Sequence, residues 1–179
     1  MKQDTADLRP DHWADPLDAL QVENLHRITP TLYRSAQPRR ANVAALQSLG
    51  IRTVVSLRSF NDDRKVFAGS GIRLVRVPIN TWSIDDAKVL RALVAMREAE
   101  KQGAVLIHCM HGADRTGVVA AVYRMAVQDW DKDSARQEML RGGYGYHTLW
   151  RNIPRYIERL DPLRMRHALA HAPVLPMVS

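Results

Sequence analysis

The sequence predicts an α/β fold, a three-layer sandwich with a mostly parallel central sheet flanked by helices on both faces. Three observations carry this. Apolar or alternating runs of strand length at 51–57, 72–79 and 104–107 take turns with segments of helical spacing. Gly50 and Gly103 stand where one pattern gives way to the next. The chain of 179 residues can bury a substantial core, and its single cysteine excludes internal disulfides and any cysteine-rich metal site.

The elements follow in order. Residues 1–24 are polar, contain Pro10 and Pro16, and read as an irregular arm anchored by Trp13. Leu32-Tyr33-Arg34 reads as a first short strand, ended by Pro38. Residues 40–49 carry Val43, Leu46 and Leu49 at helical spacing. The β-branched run 51–57 suits a buried parallel strand. Residues 58–65 form a polar loop at its carboxyl end, where open α/β sheets gather ligands. Arg58, Arg64 and Lys65 are therefore candidates to hold phosphate groups. Residues 72–79 alternate apolar and basic side chains, as in another strand.

A helix is expected over 85–101, with Ser83 as N-cap, Asp86 at its third position, and Val89, Leu90, Leu93, Val94 and Met96 largely on one face. Residues 116–128 read as a mostly apolar helix buried on several sides. Helices at 134–140 and 148–160 follow, separated by the glycine-rich turn 142–145, with Pro154 marking a break or kink. Tyr144, Tyr146 and His147 either wall a site or cap the core. Beyond Pro162 the pattern weakens to a short helix near 165–171 and a disordered end.

The chemistry concentrates in His108-Cys109-Met110-His111-Gly112-Ala113-Asp114-Arg115-Thr116-Gly117, between an apolar strand and a helix. Such a loop is an anion cradle, because its backbone N–H groups and the unpaired N–H groups of the helix's first turn converge. A cysteine there feels the helix N-terminus and a guanidinium, both of which favour thiolate over thiol. Arg115 supplies a planar fork for two oxygens of a tetrahedral anion. Thr116 can offer its hydroxyl to the sulfur. Gly112 lets the backbone turn and approach the anion, and Gly117 permits tight packing as the helix begins. Together these describe a thiolate nucleophile aimed at phosphorus.

The motif His-Cys-x-x-Gly-x-x-Arg-Thr-Gly resembles the signature of the cysteine-dependent protein tyrosine and dual-specificity phosphatases. Residues 25–161 are similar to compact bacterial members of that superfamily, akin to the atypical plant and fungal group. The supporting segments are Thr31-Leu32-Tyr33-Arg34-Ser35-Ala36-Gln37-Pro38, the run from Gly50 to Arg58, and Arg141-Gly142-Gly143-Tyr144-Gly145. The resemblance implies a protein tyrosine phosphatase-like fold with an arm at 1–24, a phosphatase domain at 25–161 and a tail at 162–179. It implies phosphomonoester hydrolysis through a phosphocysteine, with Cys109, Arg115, Asp114 and Thr116 catalytic. Met110, His111, Gly112, Ala113, Arg115 and Arg58 would bind the substrate, with no metal or other cofactor.

One departure concerns the general acid, which the family usually keeps two to three dozen residues before the cysteine. That region reads Pro78-Ile79-Asn80-Thr81-Trp82-Ser83-Ile84-Asp85-Asp86, with Trp82 or a neighbour in the place where the acid is sought. Asp85 and Asp86 stand where helix capping would use them. Asp114 offers the alternative. The form Cys-x-x-Gly-x-Asp-Arg resembles the myotubularin lipid phosphatases and bacterial phosphatases active on phosphoinositides, in which an aspartate inside the loop is the proposed acid. Asp114 is the first candidate and Asp85 the second. His108 is expected to brace the loop, while His111 points to solvent or to substrate.

A formal charge of +7 and a pI near 10.0 favour anionic partners. The expected substrates are phosphorylated proteins, phosphoinositides or inositol phosphates. Nucleic acid is not expected, because there is no dense Lys/Arg block and only two phenylalanines. No apolar run is long enough to cross a membrane. The first seven residues lack the apolar core of a signal peptide, so the chain as written reads as cytoplasmic. The exported bacterial relatives leave a periplasmic location open for a leader-trimmed chain. Two other readings compete: a weakly catalytic module recognising a phosphorylated partner, and a sulfur transferase, whose loop would lack the Arg-Thr-Gly ending.

Overall fold

The computed structural model describes residues 9–60 and 63–174. Its strands are β1 (Asp15–Pro16), β2 (His26–Thr29), β3 (Leu32–Ser35), β4 (Ile51–Ser56), β5 (Arg73–Arg76) and β6 (Ala104–His108). They form one sheet in the order β1-β2-β3-β6-β4-β5. The β3, β6, β4 and β5 strands run parallel, and β2 pairs antiparallel with both β1 and β3. The helices are α1 (Val43–Ser48), α2 (Arg64–Phe67), α3 (Asp86–Glu100), α4 (Asp114–Gln128), α5 (Lys132–Arg141), α6 (Asn152–Arg159) and α7 (Pro162–His171).

The strand alternation divides the core in two. Val105 and Ile107 of β6 join Leu93 of α3, Val118 and Val122 of α4, Met139 of α5, Ile157 of α6 and Met165 of α7 on one face. Ala104 and Leu106 join Leu46 of α1 and Phe67 of α2 on the other. The expected three-layer sandwich is present, with a thick helical layer on one side and a thin one on the other. No helix among the described residues is long and apolar enough to cross a membrane.

Several local expectations are corrected. The sheet begins before Leu32: β1 and β2 add an antiparallel edge, so part of the expected arm is strand. Arg9 rather than Trp13 ties that arm down, bonding the Ala14 carbonyl, the Gly142 carbonyl and Tyr144 Oη, while Ala14 is buried. The end of the expected loop is helical, Arg64 and Lys65 opening the short α2 helix. Asp85, not Ser83, caps α3, accepting the Lys88 N–H at 2.9 Å, and Asp86 is its first residue. A carboxylate satisfies that N–H and complements the helix dipole as well.

The α6 helix starts at Asn152, which places Pro154 in the first turn, where a missing N–H breaks no helical bond. The last helix starts at Pro162 under an Asp161 cap, three residues earlier than expected. Residues 1–8 of the arm, 61–62 of the loop and the expected disordered end at 175–179 lie outside the described residues.

The fold gathers the site at one edge. Ser35 and Ser56, the last residues of β3 and β4, both stand in register with His108, the last residue of β6. Everything that follows these three strands therefore meets at the Cys109 loop.

Candidate active site

The loop between β6 and α4 runs from Cys109 to Ala113, and α4 opens with Asp114, Arg115 and Thr116 as its first three residues. The helix thus starts two residues earlier than its apolar pattern suggests. Its unpaired first-turn N–H groups belong to the motif itself. Cys109 is buried at 2 % exposure and is a free thiol.

The loop is fastened at several points. Gln37 N–H donates to the Met110 carbonyl at 3.0 Å, and Leu57 N–H to the His108 carbonyl at 2.9 Å. Gly112 has a φ of 70°, and a Cβ there would stand 2.5 Å from the Ser35 carbonyl carbon and oxygen. Only glycine fits that conformation and that contact. At Gly117 a Cβ would press on Met139 Cγ at 3.1 Å, which explains the tight packing expected there.

Two polar atoms of the first turn are left over. Arg115 Nε and Thr116 Oγ1 are both buried with no hydrogen-bond partner among the described residues. The expected bond from the Thr116 hydroxyl to the sulfur is therefore not formed. A buried guanidinium nitrogen without an acceptor is costly unless a ligand completes it.

Behind the loop lies a network that sequence reading missed. Arg34 of β3 is 1 % exposed, donates to the Gly112 carbonyl at 2.8 Å, and lies 3.5 Å from the centre of the Tyr144 ring. Burial pulls its pKa below the ordinary arginine value, while the nearby Glu138 carboxylate favours its charged form. Glu138 accepts Arg124 Nε and a second Arg124 nitrogen, each at 2.8 Å, together with the Ala14 N–H at 2.8 Å and Tyr144 Oη at 3.0 Å. Burial pushes the Glu138 carboxyl up, but these donors outweigh it and hold its pKa below the usual range.

His108 braces the loop as expected: its Nδ1 lies 3.0 Å from the Cys109 carbonyl and its Nε2 2.7 Å from Asp63 Oδ2. Gln37 donates to the other Asp63 oxygen at 2.7 Å. Burial raises the Asp63 pKa, yet His108 and Gln37 together take it below its ordinary value. Arg58 is half-buried and donates to Gln37 Oε1 at 3.1 Å, so it joins this scaffold from the carboxyl end of β4.

Asp114 is buried, and both its oxygens are taken. His147 N–H donates to Oδ1 at 2.9 Å, and His147 Nδ1 lies 2.7 Å from Oδ2. The three residues at the glycine-rich turn divide their work. Tyr144 is core, Tyr146 Oη bonds the Trp150 carbonyl, and His147 reaches the loop with its ring half exposed. Asn24 Nδ2 joins the His111 and Tyr144 carbonyls at 2.8 and 2.9 Å, clamping turn to loop.

Met110 and His111 are exposed on the rim, while Gly112 and Ala113 are buried beneath it. Trp82, in the place where the acid is sought, is 65 % exposed. Asp85 is held by Lys88 as a cap, and Asp86 accepts Tyr156 Oη at 2.9 Å.

Residues 19–148 match the model of the tyrosine phosphatase family, nearly three quarters of the chain. The chain belongs to that family. A dual specificity protein phosphatase, TpbA of Pseudomonas aeruginosa strain UCBPP-PA14, is 42% identical over 173 residues, covering 97% of this chain and 78% of the relative. The crystal structure of P. aeruginosa TpbA superposes with a TM-score of 0.84, covering 91% of this phosphatase and 99% of that chain. A TpbA cysteine-to-serine variant in complex with phosphotyrosine also matches at 0.84, with 41% identity and coverage of 92% and 99%.

An inositol diphosphatase of Arabidopsis thaliana, DSP5, is 28% identical over 154 residues, covering 82% of this chain and 74% of the relative. The phosphatase is thus a hydrolase of the cysteine-dependent type, with the mixed α/β architecture of its family.

Proposed function

We propose that this phosphatase hydrolyses phosphomonoesters on protein side chains, phosphotyrosine foremost and with dual specificity, through a phosphocysteine on Cys109. The observation that carries the reading is the first turn of α4, where the buried Arg115 Nε lacks an acceptor among the described residues directly beyond the cysteine loop. A bound phosphoryl group would complete it, with the loop N–H groups holding the remaining oxygens. Thr116 Oγ1 is the other unsatisfied atom there and serves the sulfur once it becomes a leaving group. Met110, His111, Gly112 and Ala113 contribute the loop, and Arg58 stabilises its neighbour Gln37.

The departing oxygen needs a proton, and 78–84 contains no carboxyl to give one. The proton comes from the Asp114 side of the loop. The similarity to TpbA favours a phosphotyrosine or phosphoserine protein as substrate. A second reading, an inositol phosphate or diphosphate, is favoured by the likeness to the Arabidopsis inositol diphosphatase.

The test is phosphate release by wild type and Cys109→Ser over one panel of aryl phosphate, phosphotyrosine and phosphoserine peptides, phosphoinositides and inositol phosphates. Wild type alone should turn over, with phosphotyrosine peptide ranked first. An inositol substrate at the head of the ranking would select the second reading. Silence over the whole panel by folded protein would count against both and favour a phosphate-binding module.

A further inference from the structure

We infer that His147 is the proton donor to the leaving oxygen and that Asp114 is a positioning residue that aims it. The inference rests on the phosphocysteine reading and names the group that completes it. Asp114 carries its carboxylate on the first residue of α4, with its side chain only 8% exposed. One oxygen accepts the His147 backbone N–H and the other lies against the ring Nδ1. A carboxylate engaged at both oxygens acts as an acceptor, with no proton directed outward.

The imidazole is placed to hold that proton instead. With Nδ1 turned to Asp114, its Nε2 has no hydrogen-bond partner among the described residues. The His147 side chain is 48% exposed, and its ring meets the rim residue His111 edge-on at 5.1 Å between centroids. Both rings line an open cavity of about 620 Å³, together with Asn24, His26 and Tyr144. The Asn24 clamp and the buried Tyr144 fix the turn that carries His147. A histidine oriented by a buried carboxylate is a common acid–base device.

The steps balance. The Cys109 thiolate forms the S–P bond with its own electron pair as the P–O bond to the leaving group breaks. The pair on the departing oxygen takes the Nε2 proton of the His147 imidazolium, giving an alcohol or phenol and neutral imidazole. Water then attacks phosphorus and gives a proton to Nε2, while the S–P pair returns to sulfur. Asp114 stays ionised throughout.

Leaving-group dependence separates this role from a structural one, because an acid matters most when the departing oxygen is basic. His147→Gln should slow phenyl phosphate by roughly 10²-fold or more while slowing p-nitrophenyl phosphate only a few-fold. Asp114→Asn should steepen the dependence in the same direction but less, with both variants melting as cooperatively as wild type. Equal slowing of both substrates by His147→Gln would overturn the inference. So would a flat response to His147→Gln alongside a steep one to Asp114→Asn, which would return the proton to Asp114. Phosphate release by Cys109→Ser would instead overturn the thiolate reading, and with it the inference.

Discussion

The two sides of the Cys109 loop are equally polar and differently finished. Behind it, Arg124 and Glu138 form a paired, hydrogen-bonded cluster with Tyr144 and Ala14, exposed by only 3% and 4% at the two charged side chains. On its floor, Arg115 Nε and Thr116 Oγ1 are also buried but lack partners among the described residues. Buried polar atoms satisfied from within hold the loop's shape, whereas the two first-turn atoms are the ones a bound phosphoryl group would satisfy under the proposed function. Arg34 lies between the two sets: one nitrogen holds the Gly112 carbonyl, while its Nε is unpaired.

The comparison can be broken most forcefully from the scaffold side. Glu138→Gln removes the charge that pairs Arg124 and should cost about 3–5 kcal/mol, because Arg124 is left buried without its counterion. Urea denaturation should record that loss, and kcat per folded molecule should fall less than in Arg115→Lys, because the cluster shapes the loop without touching the substrate. Arg115→Lys should do the reverse. It replaces a fork with a point charge and should lower kcat/KM by roughly 10²–10³-fold. Its denaturation midpoint should stay at the wild-type value, since the Arg115 Nε has no bond to lose among the described residues.

The pH dependence of stability sharpens the scaffold further. Burial lowers the His26 pKa to about 4, opposed by the Asn24 carbonyl and reinforced by Arg34 and Arg9. Below the ordinary value of 6.5 the unfolded chain binds a proton that the folded protein refuses, so stability falls with pH from there. The loss is complete near pH 4 and is on the order of 3 kcal/mol. Unfolding of wild type and His26→Phe between pH 7 and 4 should show the shallower slope for the variant. The smallest effect belongs to Asp85→Ala, which removes an exposed cap and should cost about 1 kcal/mol. The ratio of rates on phenyl and p-nitrophenyl phosphate should not move, whereas a steeper leaving-group dependence would make Asp85 the acid.

Much of the fold was legible because its signals are local. The β-branched run of β4, the apolar β6 and the Gly50 and Gly103 stops each declare an element within a few residues. The β1 and β2 strands escaped because Asp15–Pro16 is an edge strand of two residues and His26–Thr29 is a four-residue strand with Ile28 as its single aliphatic side chain. Cys109 and Arg115 were legible for the same local reason, sharing one motif with the glycine between them. Their supports were not, because folding brings Arg34 to a carbonyl 78 residues away, Asp63 to a histidine 45 away and His147 to a carboxylate 33 away. A basic side chain in the short run Leu32–Ser35, buried throughout, was the one sequence hint of the Arg34 role.

The most direct test of the account is a rapid acid quench of the enzyme during turnover of an aryl phosphate, followed by mass spectrometry of its peptides. The account predicts one added phosphoryl group, located on Cys109, accumulating within the first turnover and absent from Cys109→Ser. Full-rate phosphate release with no phosphorylated Cys109 peptide at any quench time, or with the phosphoryl group on another residue, would contradict it.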